Sequence, residues 1–439
     1  VVALTDRAAV RRLLDRFGFG PGPGDVDAAV TRGFAATAAG LLNPPADVGV
    51  AATPEPDLGP EPQRPAKGDK TAKQQFAQAV QHQEVTLTSW WLDRMVAADA
   101  PLAERMTWFW HGHFATSDQK VRSPRLMQRQ NATQRSLATG QFTALAKAMM
   151  VDPAMLIWLD GQQNKTGAAN ENLARESMEL FMLGVDRYTE TDVREAARAL
   201  TGWVVDRDTI TAQVVPRRHD NGSKTVLGTT GNLDEGSFVD VVLAQPKSPE
   251  YVVGRIWSRL VCGVAPPPQD VLERLVAAYG ANRDIHATLL AITQESAFTD
   301  SAQTLVKQPV EWVVGLMRAL RVRPSQLPAR SGAALLTGLR AMGQVPFLPP
   351  NVGGWPSDTA WLTTSAGLAR LRVAQLLAEH ADLSTVSGTA SANRLAATQS
   401  LLSVDQWSSR TMAALRQVLD TPPQLVALAA CAPEYVVSL

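Results

Sequence analysis

The sequence predicts a mainly α-helical protein, one large multi-helix domain with a small β-hairpin insert. Three observations carry this. Apolar residues recur at three- and four-residue spacing through most of the 439 residues, the signature of helices with one buried face. Residues 71–98 run without Gly or Pro. Adjacent β-branched pairs flanking polar residues are confined to about 203–228, at Val204-Val205 and Val214-Val215.

Residues 6–17 read as an amphipathic helix through Ala9, Leu13, Leu14 and Phe17, stopped by the Gly/Pro run 18–24, since Pro and Gly end helices for steric and entropic reasons. A second helix is expected over 25–42. Residues 1–43 therefore form an N-terminal helical arm. The stretch 44–70 is rich in Pro, Ala, Glu and Gly and cannot build a core, so it reads as a connector or surface-wrapping loop. The main helical domain spans 71–439. Its first helix carries Trp90-Trp91-Leu92. Pro101 marks the start of the next, because a first-turn Pro loses no intrahelical bond. Helices are further expected over 123–139, 141–150, 170–183, 190–201, much of 238–297, 309–320, 333–342, 365–381 and 424–430. Asn221-Gly222 is a turn signal inside the β insert.

Lys+Arg and Asp+Glu both number 42, and no basic run stands out, so nucleic-acid binding is not expected. No stretch approaches ~18 continuous apolar residues, so no membrane span is expected. Cys262 and Cys431 are too few for a disulfide framework and read as buried thiols unless they meet in space. The chain begins Val1-Val2-Ala3-Leu4, consistent with a removed leader or a trimmed start.

Several blocks of sequence, taken in order, carry a resemblance. They are Arg12-Leu13-Leu14-Asp15-Arg16-Phe17-Gly18-Phe19-Gly20-Pro21, Trp108-Phe109-Trp110-His111-Gly112-His113-Phe114, and Asn170-Glu171-Asn172-Leu173-Ala174-Arg175-Glu176 continuing to Gly184. Tyr188-Thr189-Glu190 through Trp203, His219-Asp220 with Lys224-Thr225, and Pro349-Pro350-Asn351-Val352-Gly353-Gly354-Trp355-Pro356 with Trp361 follow in order. Together they resemble the bacterial DUF1800 family over about residues 12–372. Gly112 departs from it, since the family commonly has Asn between the two histidines. The resemblance implies an exported protein, periplasmic or extracellular, although a cytoplasmic location stays open. It also implies a DUF1501-type protein as partner. No reaction comes with it.

His111 and His113 are the sharpest chemical candidates. In an extended segment both rings would point the same way and share a divalent metal ion; in a helix they diverge by about 200°. Alternatively they cap a helix and pack beside tryptophans. On a helix at 100° per residue, Glu171, Arg175 and Glu179 share one edge, with Glu176 beside them. That is either a salt-bridge ladder or a carboxylate wall for acid–base or metal chemistry. His219-Asp220 would orient an imidazole or supply ligands, or else form a local turn. Lys224 would neutralise an anionic group. Trp355 and Trp361 would offer an aromatic platform to a substrate, or lock a loop to the core.

Phosphate-loop, Rossmann, nucleophile-elbow and zincin signatures are absent, and so are the Glu-x-x-His pairs of a dimetal bundle. The leading expectation is an exported enzyme using acid–base or metal chemistry on a polymeric or envelope-associated substrate. Its site would be His111, His113, Glu171, Arg175, Glu176, Glu179, His219 and Asp220. The other is a non-catalytic partner or scaffold for a DUF1501-type protein. An enzyme would gather these groups at a cleft; a scaffold would bury and pair them.

Overall fold

The computed structural model describes residues 3–438. Helices dominate it, and only three two-stranded antiparallel sheets occur among the described residues. The N-terminal third holds α1 (Asp6–Arg16), α2 (Asp25–Arg32), α3 (Phe34–Leu42), α4 (Lys70–Ala97), α5 (Leu102–His113), α6 (Pro124–Ser136) and α7 (Phe142–Met150). Local chemistry sets many starts. Thr5 and Asp69 accept backbone N–H groups at the heads of α1 and α4, and Ser123 does so ahead of Pro124 in α6, satisfying donors that have no intrahelical partner.

The expected helix over 25–42 is two. Gly33 between them has φ +88°, a conformation that L side chains resist, so the apolar pattern continues while the axis turns. Leu13 of α1 and Phe17, just past its end, are fully buried in the same cluster as α5 and α7. The 44–70 connector wraps the body with one helical turn, Val48–Ala51. Its carbonyls at Leu58 and Pro60 accept from the Gln83 amide at 2.7 and 2.9 Å.

The middle third holds α8 (Asn172–Glu176), a π-helical segment (Ser177–Met182) and α9 (Glu190–Ala199). Two hairpins follow: β1 (Trp203–Asp206) with β2 (Thr211–Val214), Trp203 facing Val214, and β3 (Lys224–Val226) with β4 (Thr229–Gly231). The insert is thus present, but Asn221-Gly222 precedes β3 and turns neither hairpin. Then come α10 (Glu235–Leu243), α11 (Lys247–Leu260), α12 (Gln269–Tyr279) and α13 (Ile285–Gln294). The last third holds β5 (Leu305–Val306), α14 (Pro309–Leu320), α15 (Ala329–Met342), α16 (Thr364–Glu379), α17 (Pro422–Ala430) and β6 (Val437–Ser438), which pairs with β5.

Two apolar clusters fill the interior. One is built mainly from α5 and α7 through α13, the other from α4 and α14 through α17. α5 is their shared wall, with Met106, Phe109 and Trp110 in the first and Trp108 in the second. A helix that faces two apolar clusters carries large apolar side chains on both sides, which accounts for the run Trp108-Phe109-Trp110. Cys262 is buried, Cys431 half-buried, and both are free thiols. No helix among the described residues is long and apolar enough to cross a membrane.

Candidate functional site

α5 carries both imidazoles in its last turn and ends at Phe114, whose N–H still bonds the Trp110 carbonyl. Because the segment is helical through His113, the rings leave the axis in different directions. His111 is enclosed by Trp91, Trp108, Phe347 and Trp355, with ring centroids 5.3, 5.9, 5.3 and 5.4 Å away. Its Nε2 accepts the Phe347 backbone N–H at 2.9 Å, which leaves the proton on Nδ1. Burial pushes its pKa down to about 3.

His113 turns toward the π-helical segment. Its Nε2–H donates to the Phe181 carbonyl at 2.8 Å, and its Nδ1 is buried without a hydrogen bond. Burial, followed by the charges of Arg255 and Arg259, brings its pKa to about 3. The π-helix sets up this contact. Leu183 N–H reaches back five residues to Met178 C=O at 2.9 Å, and the wide turn presents Phe181 C=O to the imidazole. Such π turns recur at functional positions; here one side chain from a neighbouring helix occupies it.

The π turn also breaks the expected carboxylate edge. Glu171 is held by Arg175 at 3.1 Å, and Arg175 forks onto Glu190 with two contacts of 2.7 Å. Glu179 instead accepts the Tyr188 hydroxyl. Glu176 has its pKa raised by partial burial and then by the Glu179 charge. These groups do not reach the two histidines by side chain; the link is the Phe181 main chain.

His219 and Asp220 belong to a third place. His219 Nδ1–H donates to Thr201 C=O at 2.9 Å. Asp220 is forked by Arg198 at 2.8 and 3.1 Å and accepts Gly222 N–H at 2.8 Å. Arg198 draws its pKa down to about 2. They pin the chain after β2 to the end of α9 and orient neither His111 nor His113.

Three expected substrate contacts lie in the interior. Lys224 is buried and its ammonium donates to Asn232 Oδ1 at 2.9 Å and Leu233 C=O at 2.8 Å, so it is engaged internally. Trp355 and Trp361 are each 4% exposed, and Trp355 stacks on Trp108 at 5.1 Å. They lock the Pro-Gly loop to the core and present no open face. His111 and His113 also turn to different main-chain partners. Among the described residues no three His, Cys, Asp or Glu side chains are placed to hold one ion, so the donors here do not fit a divalent metal.

Interior charges that the sequence did not single out hold the blocks together. Glu104 accepts Trp91 Nε1–H at 2.9 Å, Arg94 at 2.6 Å and Arg135 at 2.7 and 3.0 Å. Arg105 is paired with Glu311 and bonds the Arg16 carbonyl at 3.0 Å. Arg259 reaches the Trp355 carbonyl at 3.0 Å. Where these meet, a cavity of about 20 Å³ lies between Arg105, Gly112, Arg259, Glu311 and Trp355, room for about one water. The only signal for them was a charged residue at an apolar helical position.

A family model described as "Protein of unknown function (DUF1800)" matches residues 12–437. The chain belongs to the DUF1800 family. No curated protein and no solved structure matches it. In this DUF1800 chain the blocks that carry the resemblance bond to one another. His111 binds the chain just before the Pro-Gly loop, and His113 binds the segment that follows Asn170-Glu171-Asn172. A Cβ on Gly354 would lie 2.3 Å from the Gly112 carbonyl, so the Pro-Gly loop lies directly on the end of α5. At Gly112 itself a Cβ would meet Trp355 at 3.8 Å, an ordinary contact.

Proposed function

We propose that this DUF1800 chain is a non-catalytic binding module that works outside the cytoplasm as partner to a DUF1501-type protein. One observation carries the reading. The two imidazoles best suited to chemistry are buried, kept neutral, and turned to different main-chain partners. A general base has to reach its substrate's proton, and a metal ligand needs companions. The surrounding carboxylates and guanidiniums are mostly paired with one another, the pattern of a framework built to be rigid.

The test has two parts. Untagged protein is analysed for metals beside the His111→Ala/His113→Ala variant, and the chain is co-expressed with a DUF1501-type protein encoded next to it. Metal-free protein and a stoichiometric complex are expected. Stoichiometric metal lost in a still-folded variant would sink the reading, as would two proteins that sediment independently.

Glu176, Glu179 and Tyr188 favour a second reading. They are only partly buried, and the raised pKa of Glu176 beside a second carboxylate suits a general acid. An acid–base enzyme using them would lose turnover in Glu176→Gln with unchanged stability, a result the binding-module reading does not allow.

A further inference from the structure

α15 and α16 lie side by side and antiparallel, with Ser331 at the start of one bonded to His380 past the end of the other at 2.9 Å. They meet closely at Gly338, where a Cβ would fall 2.2 Å from Val373 Cγ2. On their outer side they leave a groove of about 600 Å³, Ala334, Thr337 and Ala341 facing Leu368, Arg372 and Leu376. Leu368 is 52% exposed, as is Leu362 just before α16. Scattered exposed apolar residues are ordinary, but Leu368 and the partly buried Leu376 line one small-residue groove together and form a patch.

Shape and charge together specify what fits. A groove between two helices takes a third through anchors at i, i+3, i+4 and i+7. From Ser365 to Leu376 it runs about 16 Å at 1.5 Å per residue, some three turns of an incoming helix. Arg372 is the one charged residue lining it, and it has no hydrogen bond or ion pair among the described residues. An apolar occupant would strip water from that guanidinium with nothing in return, which is costly; a carboxylate would pair with it as a fork. A second copy of this chain docking groove to groove would bring two Arg372 side chains into one interface with no carboxylate among the groove-lining residues to pair with either.

We infer that the groove between α15 and α16 receives an amphipathic helix from a partner protein, with a carboxylate near the middle of its apolar face meeting Arg372. This rests on the reading of the chain as a binding module and says where a partner docks.

The probe is a labelled synthetic helix with leucines at i, i+3, i+4 and i+7 and one central Glu, compared with the same peptide carrying Lys there. Fluorescence anisotropy on the full chain is expected to show at least ~tenfold tighter binding of the Glu peptide, about the step that 1.4 kcal/mol gives. Arg372→Glu should reverse the preference. Thr337→Trp, which fills the groove, should abolish binding of both peptides, and Ala334→Trp serves if the first variant melts early. Equal binding of the two peptides, binding that survives the filled groove, or no binding by either peptide would overturn the proposal. So would self-association of the wild-type chain in sedimentation that Leu368→Asp removes, since the groove would then belong to a second copy. Neither metal content nor complex formation with a DUF1501-type protein enters these readouts, so this proposal can fail while the binding-module reading stands.

Discussion

At the end of α5 two imidazoles stay neutral in the folded chain down to about pH 3, whereas the unfolded chain protonates them near 6.5. Each therefore costs stability as pH falls below about 6.5, at roughly 1 kcal/mol per pH unit. Asp118 and Asp152 act the other way. Burial raises them to about 7 and about 6 from an ordinary 3.8, so the folded chain holds protons that the unfolded chain has released. Their contribution grows as pH falls toward 4 and is lost as pH rises through 6 and 7. Between about pH 4 and 6 the two pairs oppose each other. Asp118→Asn keeps the oxygen that accepts Ser123 N–H at 2.8 Å but cannot titrate. Urea unfolding from pH 8 to 4 should show the variant losing stability on acidification more steeply than wild type, by roughly 1 kcal/mol per pH unit. Parallel curves would mean that Asp118 is ionised throughout. Glu104 gives the complementary case of a charge that cannot be spared. Its carboxylate is only 2% exposed and serves Arg94, Arg135 and Trp91 together. Glu104→Ala strands two guanidiniums and should cost roughly 3–5 kcal/mol in chemical denaturation; a loss under about 1 kcal/mol would show that water replaces it.

Among the elements, the Pro-Gly loop is fixed by backbone geometry more than by side-chain contact. Gly354 has φ +79° and lies against the Gly112 carbonyl, so Gly354→Ala meets both strain and overlap. It should destabilise the protein by about 2–4 kcal/mol, and tryptophan fluorescence should shift to the red as Trp355 leaves Trp108. An unshifted spectrum at unchanged stability would mean that the loop is not seated on α5. Most helices were legible because an apolar period near 3.6 survives in any helix with one buried face. Others were not, for identifiable reasons. The pattern at Gly33 carries on across a break in direction. The π turn at Ser177–Met182 uses side chains that would fit an α-helix equally well, and the carbonyl it offers is taken up by His113 from another element. Whether His111 and His113 would share a face depended on how far α5 extends, and two residues decided it. Trp355 and Lys224 read as binding groups because their partners, Trp108 and Asn232, lie in other elements or loops. The buried roles of Arg105 and Glu104 were not legible because charged residues are usually exposed and their partners Glu311, Arg94 and Arg135 lie on other helices.

Across the whole molecule, the first helix and the last strand are fastened by one buried guanidinium. Arg16 donates to the Val261, Gln303 and Ser438 carbonyls at 2.8, 2.6 and 3.0 Å and to Ser438 Oγ at 3.2 Å. Its burial lowers the pKa well below the usual arginine value. Arg11 binds the Glu434 carbonyl at 2.9 Å, and Lys307, next to β5, pairs with Asp15 at 2.9 Å. The first helix and the last strand thus lie against each other, and both apolar clusters share α5. Removing residues 437–439 takes two of Arg16's five acceptors and the β6 strand while leaving its charge buried, the costly way to break a buried polar contact. Arg16→Met removes the charge together with its demand and should cost less than the truncation does. Placed in the truncated chain, Arg16→Met should recover part of the lost stability, a coupling that additive effects at independent sites would not give. Thermal and urea unfolding of the four proteins measure it directly. If the double variant falls by the sum of the single losses, the fastening lies in the β5–β6 pairing, and Arg16 acts only as a bystander to it.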